Sequence, residues 1–508
     1  MSMSLRLTTC LFTLSIAGCA ATTAPAVIKS DSTHSVNAKP WFEAGDAAVD
    51  AMERQAQRPH VAKNVILFVG DGMSLDTITS ARILAGQRLG KSGEEHRLTM
   101  DTLAHTALIK TYTTDMQVPD SAGTATAMLS GVKTKSGVIG VDAGVIRRQC
   151  AGSKAAHVES FLEHMAGRGK ATGVISTARI THATPAAAYA HSPERGWEVD
   201  GEIPPDQRDG CVDIAVQLTD FNVGNGIDVV LGGGRAAFMP TSATDPEQAD
   251  RTGAREDGRN LIDEWQTRYG SDAEYVWNAA QLNALDPEKT ERIMGLFEPS
   301  HMMYEDDRRR ENANEPSLAE LTAFAVKRLQ RDDNGFFLLV EGGRIDHAHH
   351  GGNASRALGD TVALDDALAR AMSLVNLDET LIIVTADHGH VMSFSGYPRR
   401  GNPILGKVAE KVTLPGQTPE YTRDKNGLPY TTLNYANGSG HRSPREDLTD
   451  VDTTHPDYKQ DAAVPLSSET HSGTDVIVFA EGPGAALFRG VQEQNYIYHV
   501  MRHAVDTH

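Results

Sequence analysis

Three apolar runs in this chain each stop at residues that bind metal ions. Residues 64–72 read NVILFVGDG and end at Asp71. Residues 335–350 read GFFLLVEGGRIDHAHH and deliver Glu341, Asp346 and His350. Residues 380–390 read TLIIVTADHGH and deliver Asp387 and His388. Any one such residue is usually structural; carboxylates and imidazoles gathered at three strand ends are far more specific. Mixed oxygen and nitrogen donors suit Zn²⁺ or a similar borderline ion, and oxygens alone suit Mg²⁺. A fourth segment, 118–134 (VPDSAGTATAMLSGVKT), supplies a candidate nucleophile, Ser121. Metal ions beside an activated serine point to phosphoryl transfer.

Each residue also has a plainer reading. Ser121 follows Pro119-Asp120 and falls near the start of a helix, where it could be only an N-cap. The same place offers an anion free N–H groups and the positive end of the helix dipole. A neighbouring cation can ionise the hydroxyl without a histidine base, so the surrounding ligands favour the nucleophile. Asp346 and His350 stand four apart, on one face of a helical turn, and can share an ion. A tetrahedral Zn²⁺ then needs one more protein ligand and an open position; His471, in SETHSGTD before a strand, is the candidate. Asp387 and His388 can converge because the strand ends there. Glu341 follows five apolar residues and needs either a cation or a salt bridge. Asp71 has two oxygens and could bridge two ions. His347 and His349 are read as standing behind the ligands or facing substrate.

These residues need a sheet to bring them together. Strands are predicted at 64–72, 171–176, 227–231, 336–340, 381–385 and 475–479. Helices are predicted between them, at 74–86, 121–129, 157–168, 211–218, 318–330 and 354–374. The alternation argues an α/β fold: a doubly wound, mostly parallel central sheet with helices on both faces and its carboxyl edge carrying the site. Residues 41–57 read as an amphipathic helix and 241–258 as an acidic loop. The long polar stretch 397–467 reads as an insertion, a crown-like subdomain on the face of the site.

The chain has 508 residues and a formal net charge of −19, which argues against a nucleic-acid-binding surface. An acidic surface also repels phosphate, so an anion site must be made locally positive, which bound cations would do. Residues 1–19 carry one arginine, an apolar run and Ile16-Ala17-Gly18-Cys19. They read as a lipoprotein-type signal peptide with lipidation at Cys19, and 20–40 as a tether. The expected location is the periplasm or cell envelope, with membrane contact only through that lipid. A plain secretory signal is the alternative. After processing, Cys150 and Cys211 remain as a disulfide candidate, or as two free buried thiols.

Together, VGDGM, PDSAGTATAMLSGVKT, GFFLLVEGGRIDHAHH, VTADHGH and ETHSGTDV resemble the alkaline phosphatase family across residues 41–508. GLFEP, YPRRGNPILG and EQNYIYHVM are more similar to its animal-type branch. The resemblance implies phosphomonoester hydrolysis of broad range through a phosphoserine at Ser121. It implies a first zinc on Asp346, His350 and His471, a second on Asp71, Asp387 and His388, and magnesium on Asp71, Thr184 and Glu341. His182 would stand behind the magnesium, and Arg195 would clamp the phosphate. It further implies calcium on Glu247, the Phe297 carbonyl, Glu298 and Glu315, the last a Glu where Asp is expected. A Cys150–Cys211 disulfide and a homodimer joined through 397–467 complete the set. A sulfatase would need a C/S-x-P-x-R setting, which is not found around Ser121. A phosphodiesterase is the enzymatic alternative, and a surface lipoprotein that binds metal or phosphate without turnover is the non-catalytic one.

Overall fold

The computed structural model describes residues 61–411, 417 and 420–506. The expected signal peptide, Cys19, tether and helix at 41–57 lie outside the described residues.

The strands in chain order are β1 (Asn64–Gly70), β2 (His105–Lys110), β3 (Ala171–Arg179), β4 (Val229–Gly233), β5 (Ala273–Val276), β6 (Arg292–Leu296), β7 (Phe336–Gly342), β8 (Thr380–Ala386), β9 (Gly389–His390), β10 (Met392–Phe394), β11 (Leu433–Gly438), β12 (Ala462–Pro465), β13 (His471–Ser472), β14 (Val476–Glu481) and β15 (Val491–Glu493). Ten form one sheet in the order β15-β2-β14-β8-β1-β7-β3-β4-β6-β5. Its pairings are parallel except for those of β14, which runs antiparallel to β2 and β8. β1, β7 and β8 are buried at every residue, as parallel strands covered on both faces must be. Helices Leu75–Arg88 (α1), Ser121–Ser130 (α2), Leu318–Leu329 (α3), Arg344–His350 (α4) and Ala354–Met372 (α5) belong to the crossovers and strand ends. α3 and α5 pack on β7, α3 also on β3 and α5 on β1.

Among the described residues, the strands and helices predicted from residue 64 onward are all present, with ends moved by local chemistry. The helix expected at 157–168 starts at Phe161, because Ser160 and Glu163 close a capping box. The one expected at 211–218 starts at Ile214, because Asp213 caps it. The acidic loop 241–258 is ordered by buried arginines. Arg235 grips Asp245 through two 2.8 Å bonds, and Arg255 grips Asp213 at 3.0 and 3.1 Å.

The insertion builds on a second small sheet, β10-β11-β12. Its Ile404, Leu405, Leu433, Tyr435 and Ala462 share a buried cluster with Ala81 and Leu84 of α1 and Leu358 of α5. Through these residues it packs on the helices of the main body. No described helix is long and apolar enough to cross a membrane.

Candidate active site

Strand register sets the site. Gly70 pairs with Gly342 on one side and with Ala386 on the other. Asp71, Glu341 and Asp387 therefore emerge side by side at the carboxyl edge, and all are fully buried. The chain leaves β1 through Gly72 at φ +71°, where a Cβ would lie 2.3 Å from the His390 ring. Only glycine fits so close a passage. A short pairing of β9 with β13 then sets His471 opposite His390.

Asp120, not Ser121, caps α2, accepting from the Gly123 N–H at 3.2 Å. Ser121 is the first helical residue, and its Oγ lies 3.1 Å from His388 Nε2 and 3.4 Å from Asp71 Oδ1. His388 Nε2 is 3.4 Å from Asp71 Oδ1 and 3.2 Å from Asp387 Oδ2. Asp346 Oδ1 is 3.4 Å from His350 Nε2 and 3.3 Å from His471 Nε2, and those two nitrogens are 3.1 Å apart. Ligand atoms around a tetrahedral zinc with bonds of about 2.0–2.1 Å stand about 3.3–3.4 Å apart. Both sets match that spacing. His350 and His471 direct their Nδ1 atoms at the carbonyls of Glu469 (2.6 Å) and Pro119 (2.8 Å). Their Nε2 lone pairs then face each other, which is repulsive unless a cation lies between them.

A third cluster joins Asp71, His182 and Glu341, with ligand atoms within 4.8 Å of one another. Asp71 Oδ2, Glu341 Oε1, Thr184 Oγ1 and His182 Nδ1 are buried there without hydrogen-bond partners. Orphaned oxygens at this density are a cation's donor set. His182, expected behind this centre, brings a ring nitrogen within its reach. His347 stays out of all three clusters: its Nδ1 meets Arg344 Nη1 at 3.0 Å, and its ring packs on His301. His349 is buried and structural, held by Thr77 Oγ1 at 3.0 Å and the Tyr435 hydroxyl at 2.8 Å.

Crowded carboxylates perturb one another. Burial raises Asp71 well above the usual range, and the charges of Asp387, Asp346 and Glu341 add to it. Burial pushes Glu341 up to about 8. Burial also acts to raise Asp346, yet hydrogen bonds from His390 and His471 hold it well below the usual range. His390 is a participant the sequence reading did not single out. Its Nε2 lies 2.7 Å from Asp346 Oδ1 and its Nδ1 2.5 Å from Glu469 Oε2. A 2.7 Å separation is a hydrogen bond, too short for two ligands of one ion, so His390 braces the carboxylate from behind. Its burial opposes a charge, but the two flanking acids raise its pKa to about 9.

Arg195 reaches the site with Nη1 on Asp120 Oδ2 at 3.0 Å and Nη2 beside His182 Nε2 at 3.2 Å. Asp120 also accepts from the Gly137 N–H, so one carboxylate fixes the helix start, the next loop and the arginine. Apart from this site, Glu298 and Glu247 act on the charge of Glu315, but the three do not close to within metal-ligand distance of one another among the described residues. Burial and Glu298 push Glu315 up to about 9, and its Oε1 has no partner. Phe297 is buried just before Glu298, at the end of β6. Cys150 and Cys211 form a disulfide.

The alkaline phosphatase family model matches residues 62–507. The tissue-nonspecific alkaline phosphatase of Gallus gallus is 48% identical over 471 residues, covering 91% of this chain and 88% of that protein. The Homo sapiens isozyme of the same description is 46% identical, covering 89% and 86%. Among solved structures, the alkaline phosphatase of Thermus thermophilus superposes with a TM-score of 0.63 at 25% identity, covering 89% of this chain and 93% of that one. A match from the first described strand to the last helix, with the animal-type enzymes at nearly half identity, makes this chain a member of the alkaline phosphatase family and a hydrolase of phosphate monoesters.

Proposed function

We propose that hydrolysis passes through a phosphoserine on Ser121, at a site that holds two zinc ions and one magnesium. The observation that carries this is the placement of Ser121 Oγ, 3.1 and 3.4 Å from two members of the second donor set. Asp346, His350 and His471 would hold the first zinc; Asp71, Asp387 and His388 the second. Asp71, Glu341 and Thr184 would hold magnesium, with His182 at its edge. When bound, these ions supply positive charge to the entering and leaving oxygens and lower the pKa of the serine and of water.

Ser121 Oγ, its proton directed at Asp71 Oδ1, attacks phosphorus in line. An Oγ–P bond forms, the ester P–O bond breaks, and the alcohol departs. Water then cleaves the phosphoserine, releasing inorganic phosphate and restoring the hydroxyl. Arg195 donates two parallel N–H groups to non-bridging oxygens, a geometry that an arginine fork suits. Asp120 keeps that fork aimed. Recognition of the phosphoryl group and not the alcohol gives a broad substrate range.

Calcium on Glu247, Glu298, Glu315 and the Phe297 carbonyl is part of the same reading, supported by the unpartnered Glu315 oxygen. So is a homodimer joined through 397–467, where Tyr397 is 85% exposed and Val464 and Leu466 also face outward; sedimentation as a monomer would contradict it. Export and a lipid on Cys19 would place the enzyme at the cell envelope, and Cys19→Ala should release it from membranes. Metal analysis with monoester and diester assays, before and after chelation, tests the central reading. The expected outcome is loss of monoesterase activity and its return with zinc and magnesium. Activity indifferent to chelation, or a preference for diesters, would reject it.

A further inference from the structure

The two oxygens of Glu341 differ: Oε2 accepts a hydrogen bond from Ser176, and Oε1 is buried without a partner. Ser176 of β3 pairs in register with Glu341 of β7. Beyond Ile175 the register of β3 against β4 shifts, and in this irregular stretch Ser176 Oγ accepts from the Ala178 N–H at 2.8 Å. With that lone pair engaged, the hydroxyl proton goes to Glu341 Oε2. Both residues are fully buried, so water cannot replace either bond. The opposite wall is Gly343, where a Cβ would come within 3.1 Å of Oε2 and 2.7 Å of the Ala178 Cβ. Oε2 is thus enclosed by a donor and by backbone. Oε1 has no partner, and the carboxylate sits within reach of Asp71 and His182.

We propose that Ser176 is a positioning residue for this third centre and sets its choice of ion. By occupying Oε2, it offers Glu341 through Oε1 alone. One-oxygen presentation suits Mg²⁺, which takes six ligands at about 2.0–2.1 Å, over Ca²⁺, which takes six to eight at about 2.3–2.6 Å and often both oxygens of a carboxylate. The inference rests on the reading that the third cluster holds magnesium.

The test uses the full zinc-loaded protein as wild type, Ser176→Ala and Ser176→Thr. It measures magnesium affinity by calorimetry and the calcium concentration that displaces bound magnesium. In the alanine variant magnesium affinity falls about tenfold or more, and calcium displaces magnesium at a roughly tenfold lower concentration. Zinc content stays at the wild-type level, and threonine, which keeps the hydroxyl, restores both values. Should the alanine protein not fold, Ser176→Cys, of similar volume but a weak donor, carries the same expectation. Wild-type affinity and calcium sensitivity in the variant lacking the hydroxyl would overturn the proposal, as would equal losses in the threonine variant. A wild-type protein that binds no magnesium removes the third-centre reading itself, which is a separate result.

Discussion

Ser121 is useful because it does not cap its helix. Asp120 takes that role, leaving Oγ free to face Asp71 and His388. Ser121→Ala should therefore cost on the order of 10³-fold or more in kcat while leaving the helix start intact by circular dichroism; near-normal turnover would exclude the serine route. Arg195→Ala should be milder, about 10- to 10²-fold in kcat/KM, the worth of one or two charged hydrogen bonds. Burial also changes how Glu341 titrates. Its folded pKa is about 8 in the absence of cations, against roughly 4.3 for an unfolded glutamate. Between these values the native state keeps a proton that the unfolded state has released, so the metal-free protein loses stability as pH rises through the window. Chelated Glu341→Gln should then melt above chelated wild type, by a margin that widens from pH 5 to 8; a constant margin would refute the assignment. Asp71, Glu341, Asp387 and His388 were legible in the sequence because each stands at the end of an apolar run, whereas Thr184 was named only by the family resemblance. His390 and Ser176 were not, since their roles come from a neighbouring carboxylate that only the folded register brings to them.

At the scale of elements, the parallel core was readable because β1, β7 and β8 are continuous apolar runs buried on both faces. The edge of the sheet was not. β2 is only partly buried, β15 has three residues, and neither carries a run long enough to stand out. The reversed direction of β14 depends on its partners β2 and β8, which no local pattern encodes. The insertion was legible as an interruption, but its packing on α1 and α5 was not. Cys150 and Cys211 are 61 residues apart and enclose Thr184 and Arg195. Closing a loop of that length stabilises the fold by about 4 kcal/mol in the chain-entropy model. Cys150→Ser should lower the melting temperature by several degrees and loosen phosphate binding, since the segment it ties carries the arginine. An unchanged melting temperature would mean the loop is held by its other contacts alone.

For the molecule as a whole, cations resolve an electrostatic conflict. The chain carries −19 overall, yet it buries Asp71, Glu341, Asp346 and Asp387 together at its catalytic edge. Buried like charges are tolerable when divalent ions neutralise them. Chelation should thus lower the melting temperature as well as activity, with recovery on adding zinc and magnesium; a chelated protein as stable as the loaded one would show that the clusters are neutral by protonation alone. Brief incubation with a phosphomonoester, acid quenching and peptide mapping by mass spectrometry would locate any covalent phosphoryl group. Phosphate on Ser121, absent from Ser121→Ala and from chelated enzyme, is the result expected. Turnover with no phosphoryl group on that serine, or one carried by another residue, would contradict it.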